Sequence, residues 1–537
     1  MRYRSFAFSV LSVSSVVTIL LLLSACQKPA PTDMRTLAPA ETLVYLESSD
    51  LSEALQVLTQ NKTFKDLAEK DVDFSVLKNT QAAIAVTGFE TSEKQVTDDA
   101  SILNFKPRFV FIVDTHAWKP TAVALAENQL GSFVKKTYGA DVALEKSEKG
   151  DAKIFVWTAK DGRKLISAVS GSVIYVGNDE SVIDKCLAIK RGFGENLSSN
   201  EQLAKARESA SGQSLAFGYI SSDGVAQIAN LLGVSTAIDA SEDDAVRGFV
   251  AKTLPVLVQK SVKDVVWTAR RTEKGIEDKV FINTVDEVSS VFKETIGSGS
   301  GTQFAAARFL PANVDSFTRY NLPNAGVAWK SVLMVASKQT DVVSGKILTE
   351  VSGEFFQPYG ISDANSFLAN AGPEIVTARF DDEGDKSVAI VDVKNDDGIK
   401  KSISNEINFK AVPEKLGEAN IWKSKDGENS AAFVGGKVIL GNSESVLNCL
   451  KAGASGENFS RNPLFGLVSN STATTVTISS DSESALKLVN ILGDSKDDAK
   501  KSASFSIVET RFGSGGFERK TTSDFGLIGT IVEQFED

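Results

Sequence analysis

Blocks of the first half of this chain return in the second half, in the same order, at a spacing of roughly 260 residues. Gly177-Asn178-Asp179-Glu180-Ser181-Val182-Ile183 returns as Gly441-Asn442-Ser443-Glu444-Ser445-Val446-Leu447. Ile220-Ser221-Ser222-Asp223, leading to Asn230-Leu231-Leu232-Gly233, returns as Ile478-Ser479-Ser480-Asp481, leading to Asn490-Ile491-Leu492-Gly493. Between them Gly194-Glu195-Asn196 matches Gly456-Glu457-Asn458, and Trp157 with Asp161-Gly162 matches Trp422 with Asp426-Gly427. Ile112-Val113-Asp114 matches Ile390-Val391-Asp392, and Leu37-Ala38-Pro39-Ala40 is echoed by Leu310-Pro311-Ala312. Matches that keep their order imply a tandem repeat, so one folding solution has to serve twice.

Each half reads as α+β. Leu43 to Leu46 has strand character, and Asp50 is placed to cap a helix whose third position is Glu53. Leu51, Ala54, Leu55 and Leu58 then share one helical face. Ala82–Val86, Arg108–Asp114, Lys153–Thr158 and Leu165–Val176 are β-rich runs separated by turn residues. Trp118 to Tyr138 predicts a long helix ended by Gly139, a second helix follows Gly177, and a third runs from Asp223 to Leu232 and stops at Gly233. Hairpins close each half, Val265–Glu273 with Glu277–Thr284 and Phe505–Phe512 with Phe517–Thr521. Hairpin-length connections favour, in each repeat, a mostly antiparallel sheet with helices packed on one face, over a doubly wound parallel sheet.

The resulting divisions are a signal at 1–25, a tether at 26–36, repeat one at 37–296, a Gly/Ser linker at 297–303 and repeat two at 304–537. Cutting at Gly299 should leave at least one half folded unless the halves share a sheet. Arg2 and Arg4 precede an uncharged apolar run from Ser5 to Leu23, the pattern of a secretory signal. A transmembrane anchor is the alternative, since the run nears the ~20 residues that span a bilayer. Leu23-Ser24-Ala25-Cys26 resembles the lipobox of bacterial lipoproteins. The resemblance implies that Cys26 becomes the first mature residue and carries acyl groups on its sulfur and amino nitrogen. Gln27 after it, in place of Asp, implies the outer membrane, with the body facing the periplasm; inner-membrane retention is the alternative. Together with the Leu-Pro-Ala opening and two long α+β repeats, the layout resembles an uncharacterised family of bacterial envelope proteins, which has no activity to carry over.

Composition narrows the partners. Without Arg2 and Arg4 the balance is 56 basic to 69 acidic residues, which argues against nucleic acid and anionic headgroups. The acyl chains then hold the membrane without electrostatic help. The remaining partners are the membrane, through the N-terminal lipid, and an envelope protein or glycan.

Candidate chemistry is sparse. One histidine, His116, excludes multi-histidine metal sites, and no cofactor is implied. Following a strand end, it could serve as a base, but Lys394 stands at the matching place and no Gly-x-Ser-x-Gly elbow occurs, so a solvated helix-start residue is expected. Cys186 and Cys449 fall on apolar faces of matching helices and read as buried thiols. Ser75-Val76-Leu77-Lys78 and Ser484-Ala485-Leu486-Lys487 match Ser-x-x-Lys, yet the companion Lys-Thr-Gly is missing. Asp381–Asp385 and Asn395–Gly398 read as acidic hairpin turns and lack EF-hand spacing. The expected function is a non-enzymatic binding or scaffold module. A hydrolase or a lipid or lipoprotein carrier, with a site of Ser, Asp, Glu and Lys, is the alternative.

Overall fold

The computed structural model describes residues 31–533, apart from 98–99, 210–213, 241–243, 298–302, 313, 382–385, 404–405, 494 and 497–503. The signal, the lipobox with Cys26 and the centre of the Gly/Ser linker lie outside the described residues. In chain order the first ten strands are β1 (Val44–Ser48), β2 (Gln81–Thr97), β3 (Ala100–Asp114), β4 (Ala143–Lys149) and β5 (Ala152–Thr158), then β6 (Lys164–Ser170), β7 (Val173–Gly177), β8 (Ala216–Ile220), β9 (Val262–Thr272) and β10 (Gly275–Thr284). The next ten are β11 (Ser316–Asn321), β12 (Ala371–Arg379), β13 (Ser387–Val393), β14 (Glu414–Leu416) and β15 (Ala419–Lys423), then β16 (Asn429–Val434), β17 (Lys437–Asn442), β18 (Thr475–Ser480), β19 (Phe505–Gly513) and β20 (Gly516–Ser523).

Every pairing between these strands is antiparallel, and they join into one sheet. From its first edge the order is β4-β5-β6-β7-β3-β2-β1-β8-β9-β10. From the opposite edge it is β14-β15-β16-β17-β13-β12-β11-β18-β19-β20. Each strand of one half thus sits where the strand ten places later sits in the other. The halves meet where β10 pairs with β20, from Ile276 opposite Ser523 to Asn283 opposite Gly516. Glycine makes both ends of that seam possible. A Cβ on Gly275 would stand 2.4 Å from the Ser523 carbonyl oxygen, and one on Gly516 would stand 2.0 Å from that of Ile282. Both have positive φ, which a side chain disfavours.

The sequence predicts helices on one face, and in the structure they cover both. Leu58, Phe64, Phe133 and Val134 pack with Val113 and Trp157 in one core. Val182, Cys186, Leu187 and Leu203 pack with Ile112, Val173 and Tyr175 in another. Strand neighbours such as Ile112 and Val113 point to opposite sides, so alternation alone supplies both cores. The first of these cores crosses the seam, because Ala485, Leu488, Phe525 and Ile528 of the second half belong to it. Asn61 Nδ2 donates to the Asp524 carbonyl at 3.1 Å, and Thr63 Oγ1 donates to Asp524 Oδ2 at 2.5 Å.

Asp50 caps the Leu51–Gln60 helix as its sequence suggests, accepting from Glu53 N–H. The Trp118–Tyr138 region is helical from Lys119, passes through a π turn at Leu125–Leu130 and ends at Gly139. Gly233 does not stop its helix, which runs Ser222–Ala240. Its missing side chain instead lets the Asp244–Ser261 helix approach, since a Cβ there would lie 2.5 Å from Pro255 Cγ. Asn395–Gly398 is not a hairpin turn. Asn395 caps the Asp396–Ser402 helix, and Asp396 and Asp397 occupy its first turn, where the helix dipole favours negative charge.

Candidate functional site

The chain enters the sheet through a polar knot. β2 begins at Gln81 and β3 ends at Asp114, and the two residues are opposite each other. Gln81 Oε1 accepts from Thr32 N–H at 2.7 Å, while its Nε2 donates to the Thr32 carbonyl at 2.9 Å. Thr32 Oγ1 donates to Asp114 Oδ2 at 2.7 Å. The other carboxylate oxygen accepts from Ser172 Oγ at 2.8 Å and from His116 N–H at 3.0 Å. Burial alone would raise the Asp114 carboxyl, but these hydrogen bonds outweigh it and hold the group below the usual carboxylate range.

His116 is half-buried rather than solvated. Its Nε2 lies 3.0 Å from Gln81 Oε1, its Nδ1 lies 3.6 Å from Asp114 Oδ1, and its φ is +49°. Its ring braces the knot. Just downstream, Asp33 caps the Met34–Leu37 turn and pairs with Arg35 at 2.8 Å and Arg207 at 3.3 Å. Arg207 also holds the half-buried Glu47 at 2.8 Å. Met34, Leu37 and Ala38 are buried in the core beneath. Residues 32–36, part of the expected tether, are therefore fixed to the sheet and the core beneath it.

The matching corner of the second half is ionic. Asp392 lies opposite Lys437, as Asp114 lies opposite Val173. Lys437 Nζ donates to Glu374 Oε2 at 2.6 Å and also to Asp392 Oδ1. Glu374 Oε2 accepts from Ala306 N–H at 3.0 Å, and its Oε1 is 4.0 Å from Arg319 Nε. Arg319 is fully buried, donates to the Val468 carbonyl at 3.0 Å and stacks over Phe304. These two carboxylates share an ammonium and do not face each other across a space for a substrate.

Cys186 and Cys449 are free and buried, and burial pushes both thiols up to about 12. Neither Ser-x-x-Lys serine is paired with its lysine: Ser75 Oγ donates to Asp73, and Lys487 pairs with Glu483 at 3.3 Å. A groove of about 520 Å³ is lined by Lys330, Leu333, Met334, Ser337, Thr349 and Asn365, a set with one ionisable group. Among the described residues no group of three or more His, Cys, Asp or Glu is placed to hold a metal ion. Nor, among them, is any helix long and apolar enough to cross a membrane. Sequence reading singled out Asp114 and Asp392 only as parts of a repeated block. Gln81, Glu374 and Lys437 carried no signal, because they meet only across strands.

No family model matches the chain, and no curated protein matches it. Crystal form IV of TP0453, a Treponema lipoprotein, aligns at 9% identity and a TM-score of 0.24, over 48% of this chain and 83% of that one. Crystal form I aligns at 8% identity and a TM-score of 0.22, over 48% and 80%. The chain thus has a weak structural similarity to a bacterial envelope lipoprotein.

Proposed function

We propose that this protein is a membrane-anchored lipoprotein of the bacterial envelope, a non-enzymatic binding or scaffold body facing the periplasm from the outer membrane. The observation that carries the reading is the succession of Leu23-Ser24-Ala25-Cys26 and, six residues on, a Thr32 bonded to both Gln81 and Asp114. A tether locked into a sheet transmits load from an anchor to the body. The body itself is one duplicated fold, a reading supported by strand pairings that match at an offset of ten. Asp114 holds the tether, Asp278 the seam, and Glu374 and Lys437 each other, which favours binding over catalysis. Cys26→Ala should abolish acyl labelling and release the protein from the membrane fraction. A variant that is labelled and fractionates like the wild type would refute the proposal.

A further inference from the structure

Two aromatic side chains stand exposed at the end of the sheet where the tether leaves. Trp118 is 85% exposed and follows His116 of the knot by two residues. Phe193 is 70% exposed and follows the Glu180–Lys190 helix. The β4–β5 turn connects them. Lys119 Nζ donates to the Asp151 carbonyl in that turn, and a Cβ on its Gly150 would stand 3.0 Å from Arg191 Nη1. Asp151 in turn accepts from Ser170 Oγ at 2.7 Å, next to the Ser172 that binds Asp114. Tether exit, Trp118 and Phe193 therefore share one end of the molecule. The second half lacks the pair: Asp396 follows Lys394 where Trp118 follows His116, and Ser455 precedes Gly456 where Phe193 precedes Gly194.

One exposed apolar side chain needs no partner, but here two large aromatics stand at the end from which the tether leaves. The occupant follows from the chain outside the structure. Six steps separate Thr32 from Cys26, a reach of at most about 20 Å at ~3.3–3.6 Å per residue. A lipid on Cys26 would hold this end close to the bilayer. Indole rings favour the headgroup level, with an apolar body inward and an N–H in water. Charge at this end is mixed, with Lys119, Lys190 and Arg191 against Asp151 and Glu195, so aromatic insertion is the stronger attraction.

We infer that Trp118 and Phe193 form the bilayer-facing edge of the protein, seated in the interface of the membrane that holds Cys26. This inference rests on the lipid-anchor reading. The test uses the full mature chain, acylated and purified, on phosphatidylcholine vesicles carrying brominated acyl chains. Tryptophan emission should shift to the blue and be quenched on binding, and Trp118→Phe should lose that quenching while still floating with the vesicles. Phe193→Trp in the Trp118→Phe background should restore it. Acylated protein that floats without quenching, or whose quenching survives Trp118→Phe, overturns the aromatic edge and leaves the lipid anchor standing. Protein that carries no acyl group by mass and does not float overturns both.

Discussion

Asp278 is fully buried on β10, beside the seam, where its Oδ1 accepts from Trp267 Nε1 and its Oδ2 from Leu527 N–H, both at 2.8 Å. It joins the first half to the start of the last helix, Gly526–Glu533. Burial raises its carboxyl to about 6 despite these donors. An unfolded Asp titrates near ~3.9, so the folded chain binds more protons between the two values. The stabilising contribution is complete below ~3.9 and is lost as pH rises through the folded value, by about 3 kcal/mol. Urea midpoints of Asp278→Asn and wild type, compared from pH 4.5 to 7.5, should therefore shift in favour of the variant as pH rises. A difference that stays flat would contradict this. The two thiols offer a second measurement at this scale. Pushed up to about 12, they should ignore Ellman's reagent at pH 8 in the native protein. Denatured acylated protein should release two thiols, whereas a third would mean that Cys26 is free.

Corresponding elements of the two halves solve one problem with different chemistry. Where β2, β3 and β7 meet, a hydrogen-bonded knot of Gln81, Asp114, Ser172 and His116 receives the tether. At the matching corner of β12, β13 and β17, Lys437 neutralises Glu374 and Asp392. Removing one partner of a buried ion pair strands the other, so Lys437→Met should cost about 3–5 kcal/mol in denaturant unfolding. The cost should fall when Glu374→Gln is added, because the more deeply buried of the two stranded carboxylates is then gone. In the knot, Gln81→Ala should orphan a half-buried amide and loosen the tether by about 1–3 kcal/mol. Tryptic cleavage after Arg35 should accelerate while the global midpoint moves little, since a chain terminus opens locally.

For the whole molecule the shared sheet matters more than the linker. A fragment ending at residue 296 would bare β10 along the register from Ile276 to Asn283. It would also lose Ala485, Leu488, Val489, Phe525, Ile528 and Val532 from its core. Burying one such Leu, Ile or Phe is worth about 1.5–3 kcal/mol, and an open strand edge is a template for association. The fragment should self-associate or precipitate alone, and co-expression with residues 303–537 should give a complex eluting like the intact chain. A monomeric, cooperatively folding first half in light scattering and melting would show the halves to be independent.

The elements themselves were legible because their causes are local. Asp50 and Gly139 announce helix ends through their own hydrogen-bonding and backbone preferences, and β-rich runs between turn residues announce an antiparallel sheet. Cys186 and Cys449 could be placed in cores because each sits in a helical apolar stripe. Gly233 misled, since one glycine serves a helix stop and a close helix crossing alike, and only Pro255 across the gap distinguishes them. Asn395–Gly398 misled because caps and turns recruit the same residues. The knot, the Lys437 corner and the β10–β20 seam were decided by tertiary structure alone. Their partners, such as Thr32 and Gln81 or Gly275 and Ser523, are far apart in the chain, and no local preference records which strand edges will meet.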